Sequence, residues 1–575
     1  MALKSAFLKH TAISSSFLLC IGLANAVWAQ SIPSTADAGR VQNDIQRELS
    51  INAPATAAPD ITGQTQMVTA PEGSENIRFV LNDIVIDGAK HIPTEKLRPL
   101  YADALGKEVP LTTIYDIANR ITQYYRDHGY LLSRAYLPEQ EIRNGVIHIR
   151  VTEGFVSGYR IQNPGGVKDQ VEVYARQLMA SGPVTQANLE RYLLLMNDLP
   201  GVSVQSVLVP SEEIPESAEL VLKVTEKKVQ GFGSVDNFGN TYLGPHRVTL
   251  GAQANSLFNA TDQINAIFLT APDKGELGYY NLGYHQNIGN EGTKIGANFS
   301  YAETNPTLPD NLGGVLEPEG QATTLTIDLS HPFVRSRSLN VYGGLALDIT
   351  KNKTDYAPGL STIETKDNQR ILRANTQISY IDPKGNYNAL NTVLSKGLDQ
   401  FGASDKGGSN LSRSNGDPDF TKLSFDASRL QRLYGPFTGL IGVTGQYSMD
   451  SLLASEQFGF GGSEFGRGYD SSEVTGDHGL GGKIEIAYNR PIQNNLLERY
   501  QVYGFYDIGK VWSREEVIGQ PKHESLASAG VGTRFFFNQR LRGDAYIAKP
   551  LTNDVTSRGT HSDNIRFRFS LTTTF

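Results

Sequence analysis

The sequence has almost no cysteine and, beyond its N-terminus, no long apolar run. Its single cysteine, Cys20, lies in a segment that we interpret as a cleaved leader. A mature chain without thiols excludes disulfides, thiolate zinc sites and cysteine catalysis. No later segment has the ~18 consecutive apolar residues of a membrane helix. If the chain spans a membrane, it must therefore do so as a β-barrel.

An excess of basic residues and the motifs of enzymes are also missing. The formal net charge is −8 and the sequence pI is about 5.8, which argues against a nucleic-acid partner. The histidines are scattered without metal-ligand spacing, and no G-x-S-x-G elbow or Walker-type loop is present. These absences predict a protein without catalytic residues, without a metal site and without a cofactor.

What is present begins with a leader. Residues 1–29 contain two lysines, an apolar run and small residues at the end, which is the pattern of a secretory signal peptide cleaved after Ala26 or Ala29. A lipid anchor on Cys20 is disfavoured because Leu19 is bulky at a position that takes a small residue.

A helix with one thin apolar stripe comes next. Val41, Ile45 and Leu49 recur at a spacing of four within residues 36–50, and the other positions are mostly polar. Such a helix suits a wet cavity, and a frayed helical tail fits the pattern equally well. Residues 51–75 are rich in Pro, Ala, Thr and Gly, which indicates an extended linker without a core.

Two modules of one design follow, each predicted as β-α-α-β-β. The first includes a helix predicted over Thr94–Leu105, and the two copies end in the same tripeptide, at Val151-Thr152-Glu153 and Val224-Thr225-Glu226. Each sheet has free edges, and a sheet edge pairs readily with an extended peptide. The duplication therefore favours polypeptide binding over a plain spacer.

Residues 228–575 show strand periodicity and no helical period. About sixteen segments alternate apolar and polar residues, as in outer-membrane barrels. Short turns such as 257–260 alternate with long polar loops such as 304–320 and 352–368. One rim of the predicted barrel therefore carries short turns and the other carries long loops. In the last segment, apolar residues alternate with Arg566 and Arg568 up to the C-terminal Phe575. A terminal Phe on an amphipathic strand is the usual membrane-insertion signal of bacterial outer-membrane proteins.

A glycine-rich aromatic stretch, Phe458 to Asp470, lies between two of these predicted strands. It carries Arg467 between two glycines and directly before Tyr469. Glycines allow the backbone to double back where a Cβ would clash. Taken alone, an R-G-Y tripeptide is usually part of a flexible surface loop.

Together these features resemble the outer-membrane transporters of two-partner secretion, the TpsB or haemolysin secretion/activation family. The resemblance covers the whole mature chain, and its most specific motif is Arg467-Gly468-Tyr469. It implies that this sixth external loop folds back into the barrel, where Arg467 pairs with an aspartate on the inner wall of the thirteenth strand. Asp507 fits that place, on the polar phase of its strand. Gly466 departs from many relatives, which carry a larger residue before the arginine.

The resemblance also implies roles for the remaining segments. The helix carrying Val41, Ile45 and Leu49 would plug the pore at rest. The two modules would be POTRA domains in the periplasm that bind a secreted, TpsA-like exoprotein as an unfolded chain. The other expected partners are outer-membrane lipid and the barrel assembly machinery, and no nucleic acid.

We therefore predict a mainly β fold, in which two α+β POTRA domains and an N-terminal plug helix precede a 16-stranded antiparallel transmembrane β-barrel. The predicted function is secretion, without nucleotide, of a large partner exoprotein such as an adhesin, a haemolysin or a contact-dependent toxin. The alternative is an outer-membrane assembly factor with the same loop, although such relatives usually carry more POTRA modules. A third class, a passive porin or nutrient receptor, would lack the two POTRA modules. The predicted segments are signal peptide 1–29, plug helix 30–50, linker 51–75, POTRA modules 76–153 and 154–227, and barrel 228–575.

Overall fold

The structure is a computed structural model that describes most of the mature chain. The predicted leader and parts of the predicted linker lie outside the described residues. The described residues are 34–51, 61–62, 67–163, 165–214, 217–272, 276–308, 318–356, 364–492, 496–515, 521–538, 540–552 and 564–575.

The N-terminal part of the chain combines helices with short strands. The helices are α1 (Ala38–Ile51), α2 (Thr94–Leu97), α3 (Leu111–Asp127), α4 (Lys168–Ala180) and α5 (Gln186–Asn197). The strands are β1 (Ile61–Thr62), β2 (Arg78–Val80), β3 (Asp83–Asp87), β4 (Glu108–Pro110), β5 (Arg134–Tyr136), β6 (Val146–Thr152), β7 (Phe155–Gln162), β8 (Val202–Pro210) and β9 (Ser217–Glu226).

Two small α+β modules share one sheet topology. The sheets have the strand orders β3-β6-β5 and β7-β9-β8. In each sheet the central strand, β6 or β9, pairs in parallel with β3 or β7 on one side and antiparallel with β5 or β8 on the other. Helices cover one face of each sheet. On α3, Ile114, Ile117 and Ile121 follow the helical spacing and are fully buried in the core of the first module.

The first helix of the first module is shorter than predicted. One helix was predicted over Thr94–Leu105, but α2 ends at Leu97, and 3-10 turns follow at Arg98–Leu100 and Ala102–Ala104. Pro99 explains the break, because proline donates no backbone N–H and its ring clashes with the preceding turn. The prediction of one continuous helix was wrong.

Part of the predicted linker forms a strand on the second module. β1 lies parallel to β8, with Ile61 beside Ser206 and Thr62 beside Val207. The sequence predicted only an extended segment without a core. A two-residue strand needs no core of its own, because pairing satisfies its backbone groups.

A closed antiparallel barrel forms the rest of the chain. It contains sixteen strands, as predicted, and the first strand pairs with the last. The barrel strands are β10 (Val229–Asp236), β11 (Arg247–Asn255), β12 (Asp262–Ala271), β13 (Leu277–Ile288), β14 (Thr293–Thr304), β15 (Glu319–Arg335), β16 (Leu339–Asp355), β17 (Glu364–Ile381), β18 (Tyr387–Gly397), β19 (Thr421–Arg432), β20 (Phe437–Ser448), β23 (His478–Pro491), β24 (Arg499–Trp512), β25 (His523–Phe537), β26 (Leu541–Pro550) and β27 (Arg566–Thr574). Two short strands, β21 (Phe458–Phe460) and β22 (Val474–Gly476), lie between β20 and β23.

Some barrel strands are longer than a bilayer requires. A spanning strand needs about 9–11 residues, whereas β16 and β17 have 17 and 18. The long loop predicted at 352–368 was therefore wrong in extent, because β16 continues to Asp355 and β17 begins at Glu364. Within the predicted loop, residues 352–355 and 364–368 are strand residues at the external rim.

Side chains alternate between two environments along the barrel strands. On β24, Tyr506 and Ile508 are exposed on the outer surface, whereas Asp507 between them is buried inside. On β27, Phe567 is likewise exposed and Arg568 buried. Apolar side chains thus face lipid and polar ones face the lumen. Among the described residues, no helix is long and apolar enough to cross a membrane.

Candidate functional site

The sixth external loop, residues 449–477 (loop 6), folds back into the barrel. Its strands β21 and β22 pair as a hairpin. Phe458, Phe460 and Tyr469 from this loop form a buried cluster with Val511 and Leu526 of the inner wall. Burial of three aromatic side chains is a large apolar contribution to holding the hairpin in the lumen.

Three glycines of the inner wall make room for these rings. A Cβ on Gly509 would lie 2.3 Å from the Phe460 ring, and one on Gly481 would lie 2.6 Å from it. A Cβ on Gly479 would lie 1.9 Å from Phe458. Such approaches are sterically excluded in a close-packed interior. Sequence reasoning missed these glycines, although the spacing of Gly479 and Gly481 two residues apart on β23 was a usable signal for two of the three.

Arg467 lies at the tip of loop 6, against the thirteenth barrel strand. Its Nη2 and Nε donate to the two carboxylate oxygens of Asp507 over 2.8 and 3.0 Å, and its backbone N–H donates to the same carboxylate over 2.9 Å. Arg467 is 5% exposed and Asp507 is fully buried. A bidentate pair of this kind fixes orientation as well as distance, so the structure brings these two predicted residues together.

Sequence reasoning did not single out Glu485, a second acidic partner of Arg467. Glu485 on β23 accepts from Arg467 Nη1 over 2.7 Å and from Arg534 on β25 over 2.6 and 3.0 Å. The Arg467 guanidinium also lies 3.6 Å from the centre of the Phe505 ring. Two cations therefore meet the two carboxylates of Glu485 and Asp507, which is the balance that buried charges need.

The residues around Arg467 fit the wall equally closely. Gly466 has a φ of +77°, a left-handed conformation that side chains disfavour, so its departure from the family pattern has a local backbone reason. A Cβ on Gly468 would lie 2.8 Å from Ser528 Cβ. The Tyr469 hydroxyl donates to the Ala527 carbonyl over 3.0 Å.

Helix α1 occupies the lumen beside loop 6. Val41 and Ile45 are buried against apolar side chains of the inner wall, and Leu49 is partly buried at the edge of the same cluster. Of the two sequence interpretations, a helix in a cavity or a frayed tail, the structure shows the first. The wall side of this cluster consists of Leu243, Leu269, Ala271, Leu277, Tyr279, Ala302 and Ala322, with Ile267 partly buried against it.

Many polar contacts also hold α1 in the lumen. Arg47 pairs with Asp426 over 2.5 Å, and Glu48 pairs with Arg247 over 2.9 Å. Because water can replace most such bonds, their net contribution is small for each bond. Further contacts run from Arg40 to the Ala454 carbonyl, from Asn43 to the Ser455 carbonyl, and from Gln42 and Gln46 to the Ser300 hydroxyl.

Helix α1 and loop 6 also touch each other. The Asp44 carboxylate accepts from the Ser471 hydroxyl over 3.0 Å and from the Ser472 hydroxyl over 2.7 Å. Ser34, just before the helix, donates to the Ser472 carbonyl over 2.9 Å. Displacing either element therefore breaks contacts that hold the other.

The barrel part of the chain matches a known family. The family model described as haemolysin secretion/activation protein ShlB/FhaC/HecB matches residues 217–535, and the model of the ShlB-type POTRA domain matches residues 79–154. The chain belongs to the ShlB/FhaC/HecB family. It is accordingly an outer-membrane transporter, with its POTRA domains in the periplasm.

Full-length relatives support this assignment. The chain is 24% identical over 585 residues to the heme/hemopexin transporter protein HuxB of Haemophilus influenzae, and the alignment covers 99% of each chain. It is 23% identical over 483 residues to the outer membrane transporter CdiB of Escherichia coli O6:K15:H31 (strain 536 / UPEC), covering 81% of this chain and 79% of CdiB. Hemolysin transporter protein HpmB of Proteus mirabilis is 25% identical over 462 residues, which cover 75% of each chain.

Solved structures show the same fold. CdiB from Escherichia coli superposes with a TM-score of 0.72 at 20% identity, covering 95% of this chain and 100% of that one. CdiB from Acinetobacter baumannii superposes with a TM-score of 0.63 at 18% identity, covering 93% and 98% of the two chains. At this identity, the likeness concerns architecture.

The repeated Val-Thr-Glu tripeptide has a structural role in both POTRA modules of this ShlB/FhaC/HecB member. The Glu153 carboxylate accepts from the backbone N–H groups of Lys90 and His91 over 2.9 and 2.8 Å. The Glu226 carboxylate accepts from the Val167 N–H over 2.9 Å. Each glutamate thus ties the end of its module to the segment that follows the module's first long strand.

Several bonds hold Glu153 in its charged form. Partial burial opposes its ionisation, but the N–H and ring of His91, the N–H of Lys90 and the Tyr125 hydroxyl together lower the pKa of Glu153 below its ordinary value. The carboxylate is therefore a stabilising cap at neutral pH.

The second POTRA module docks directly on the periplasmic end of the barrel. Arg335, at the end of β15, donates to both oxygens of Asp198 over 2.7 Å, and both side chains are largely buried. Arg191 on α5 donates to Glu291 in the β13–β14 turn over 2.8 Å. These pairs fix the position of this module below the lumen.

Proposed function

We propose that this transporter secretes a partner exoprotein through the lumen that α1 fills at rest. The observation that carries the proposal is a helix inside the barrel that many separate polar bonds hold to the wall and to loop 6, beside one narrow apolar stripe. A permanent structural core would be held by close-packed apolar side chains. Helix α1 therefore acts as a removable plug, in which Val41, Ile45 and Leu49 form the apolar stripe.

The direction of plug release follows from the chain path. Helix α1 ends at Ile51, and the next described segment, β1, lies on the second POTRA module. The plug is thus tethered on the periplasmic side, where it can leave the lumen without leaving the protein. Ten residues reach at most about 33–36 Å when extended, so the segment between Ile51 and Ile61 bounds the travel of the helix while β1 stays paired.

The proposed cargo is an exoprotein that reaches the POTRA modules unfolded. An unfolded chain adds to an open sheet edge through backbone hydrogen bonds, which read no particular sequence. Among the described strands, β7 pairs with β9 alone, and beyond a single bridge from Phe155 to Pro183 its other edge is open. HuxB is named for heme and hemopexin and HpmB for haemolysin, so we propose a large secreted protein of comparable kind for this chain.

Loop 6 is proposed as the lock that sets the resting lumen. Arg467, Gly468, Tyr469 and Asp507 hold its tip on the inner wall through buried charged and hydroxyl contacts. No catalytic role is proposed. Phe575, whose backbone pairs with Gly231 at the seam of the barrel, is the proposed signal for insertion by the barrel assembly machinery.

Conductance in planar lipid bilayers tests the plug. A variant lacking residues 30–75 should show a larger and more persistent conductance than the full mature chain, because the lumen loses its helix. A second variant, with Val41→Ser and Ile45→Ser, makes the buried apolar stripe polar but keeps the tether. Its pore should open more often than that of the unaltered protein. Small conductance in both variants, equal to that of the unaltered protein, would contradict the plug.

A further inference from the structure

The seam where the barrel closes is its shortest ladder. Strands β10 and β27 share five residue pairs, from Phe232 beside Thr574 to Asp236 beside Ser570, and backbone bonds between Gly231 and Phe575 and from the Asn237 N–H to the Phe569 carbonyl extend this ladder by one position at each end. The other neighbouring barrel strands share between eight and seventeen described pairs. In an antiparallel ladder every second pair exchanges two backbone hydrogen bonds, so the shortest ladder is the part of the wall that the fewest of these bonds hold.

Side chains continue the seam where the backbone ladder stops. Asn237, just after β10, donates from its side chain to the Phe567 carbonyl over 2.9 Å and accepts from the Phe569 N–H over 2.7 Å. Arg568 of β27 donates to the carbonyls of Asn237 and Gly239. Beyond the Asn237 N–H, which donates to the Phe569 carbonyl over 3.1 Å, the external end of the seam is held by these side-chain bonds.

Asp470 of loop 6 reaches both sides of this external end. One carboxylate oxygen accepts from Arg566 over 2.5 Å and from Arg568 over 2.7 Å, both on the last strand. The other accepts from the hydroxyl and N–H of Thr241 over 3.0 and 3.3 Å, in the loop that follows the first strand. Asp470 is 5% exposed, and it directly follows Tyr469.

We propose that Asp470 is a positioning residue that holds the barrel seam closed, so that closure of the wall depends on loop 6 lying in the lumen. Arg566 and Arg568 project from the same face of β27, and the shared carboxylate offsets the repulsion between two like charges there. Withdrawal of loop 6 removes that carboxylate from both sides of the seam at once. The inference concerns the barrel wall and holds whatever cargo the pore carries.

Hydrogen–deuterium exchange of the mature protein in lipid nanodiscs tests the proposal. Asp470→Asn keeps the shape of the side chain but removes its charge. Peptides covering 232–236 and 570–574 should exchange about tenfold faster in this variant, as expected for loss of charged hydrogen bonds. The long ladder between β16 and β17 should be unchanged. Unchanged seam peptides, or equal acceleration of both ladders, would overturn the proposal.

A matched control separates the seam from loop 6 itself. Ser472→Ala changes the same loop two residues away but removes only the bond to Asp44 of the plug, so the seam peptides should exchange as in the unaltered protein. Equal acceleration in Ser472→Ala and Asp470→Asn would show that any disturbance of loop 6 loosens the wall, and would remove the specific role of Asp470.

A disulfide across the seam supplies a rescue. The side-chain oxygens of Ser234 and Thr572 lie 3.0 Å apart across β10 and β27, and the predicted mature chain has no competing cysteine. In an Asp470→Asn background, the oxidised pair Ser234→Cys and Thr572→Cys should return seam exchange to within about twofold of the unaltered protein, an interval far below the tenfold effect of a lost charged bond. Exchange that stays fast after oxidation would show that Asp470→Asn acts elsewhere than at the seam.

Discussion

Glu48 of the plug helix and Arg247 of the second barrel strand form an ion pair inside the lumen, at 2.9 Å. Arg247 also donates to Asp236 of the first barrel strand over 2.8 Å, and it is largely buried. One cation thus joins helix α1 to the wall beside the seam. In the proposed open state, from which α1 has withdrawn, Asp236 remains as a partner, so the arginine is not left as an unpaired buried charge.

This arrangement predicts that Glu48→Gln weakens the resting state without damaging the barrel. Loss of one charged pair should favour plug release by about 1–2 kcal/mol, or roughly tenfold in open probability. Single-channel recordings in planar bilayers measure this directly. Glu72→Gln, an exposed carboxylate outside the lumen, is the control and should leave the open probability unchanged. An unchanged value for Glu48→Gln would remove this pair from the resting state.

Arg467→Ala should abolish export while leaving the barrel in the membrane. The variant leaves the buried Asp507 carboxylate without its cation and Glu485 with Arg534 alone, and the tip of loop 6 loses its anchor. We expect secreted partner in the medium to fall below about one tenth, in line with a loss of several kcal/mol on breaking a buried pair. Immunoblots of medium and of outer membranes measure export and insertion separately.

Arg467→Lys is the conservative companion variant. A lysine keeps the positive charge but cannot bind Asp507 in bidentate fashion while also reaching Glu485. Export should therefore remain strongly reduced. Normal export in both variants would exclude loop 6 anchoring from the transport mechanism, whereas normal export in the lysine variant alone would show that charge suffices.

The barrel was predictable from the sequence because every second side chain of a spanning strand must be apolar where it faces lipid. Asp507 between Tyr506 and Ile508 shows how alternation alone assigns a residue to the lumen. Alternation does not say which lumenal residues meet. The pairing of Arg467 with Asp507 came from a family resemblance, and Glu485 was missed because an inward acid on β23 looks like any other lumenal acid.

The errors in the sequence analysis have equally physical causes. Pro99 breaks the helix predicted over Thr94–Leu105. The spacing of apolar residues gives no sign of this break, because it does not reflect that proline lacks a backbone N–H. The external ends of β16 and β17 were taken for a loop because their residues are polar. These ends extend beyond the membrane, where no lipid requires every second side chain to be apolar. Contacts of Asp470 depend on how loop 6 folds, which local patterns do not encode.

The Glu153 cap predicts a pH-dependent first POTRA module. Its pKa is lower in the folded protein than its ordinary value of 4.5, so its stabilising contribution is complete above the unfolded value and is lost as pH falls through the folded one. Glu153→Gln should cost about 1–3 kcal/mol at pH 7. The loss of stability is measured by titrating the full chain with urea and using protease cleavage of its periplasmic part to detect unfolding.

The pH series provides the control for that variant. Below the folded pKa of Glu153, the unaltered protein should lose its advantage over Glu153→Gln, because the carboxyl group is then neutral in both states. Glu75→Gln, an exposed carboxylate at the start of the same module, should change the urea midpoint little at any pH. A constant difference between the unaltered protein and Glu153→Gln across the whole range would contradict a role for the ionised cap.

The inner-wall glycines predict that one methyl group suffices to expel loop 6. In Gly509→Ala the new Cβ would lie 2.3 Å from the Phe460 ring, so the hairpin must shift at a cost of about 1–3 kcal/mol. Loop 6 should then be cleaved by external protease on intact cells several times faster. Gly482→Ala is the matched control, since its Cβ faces outward with its nearest atom at 3.8 Å. Equal cleavage of both variants would show that loop 6 is not seated by ring-to-wall contact.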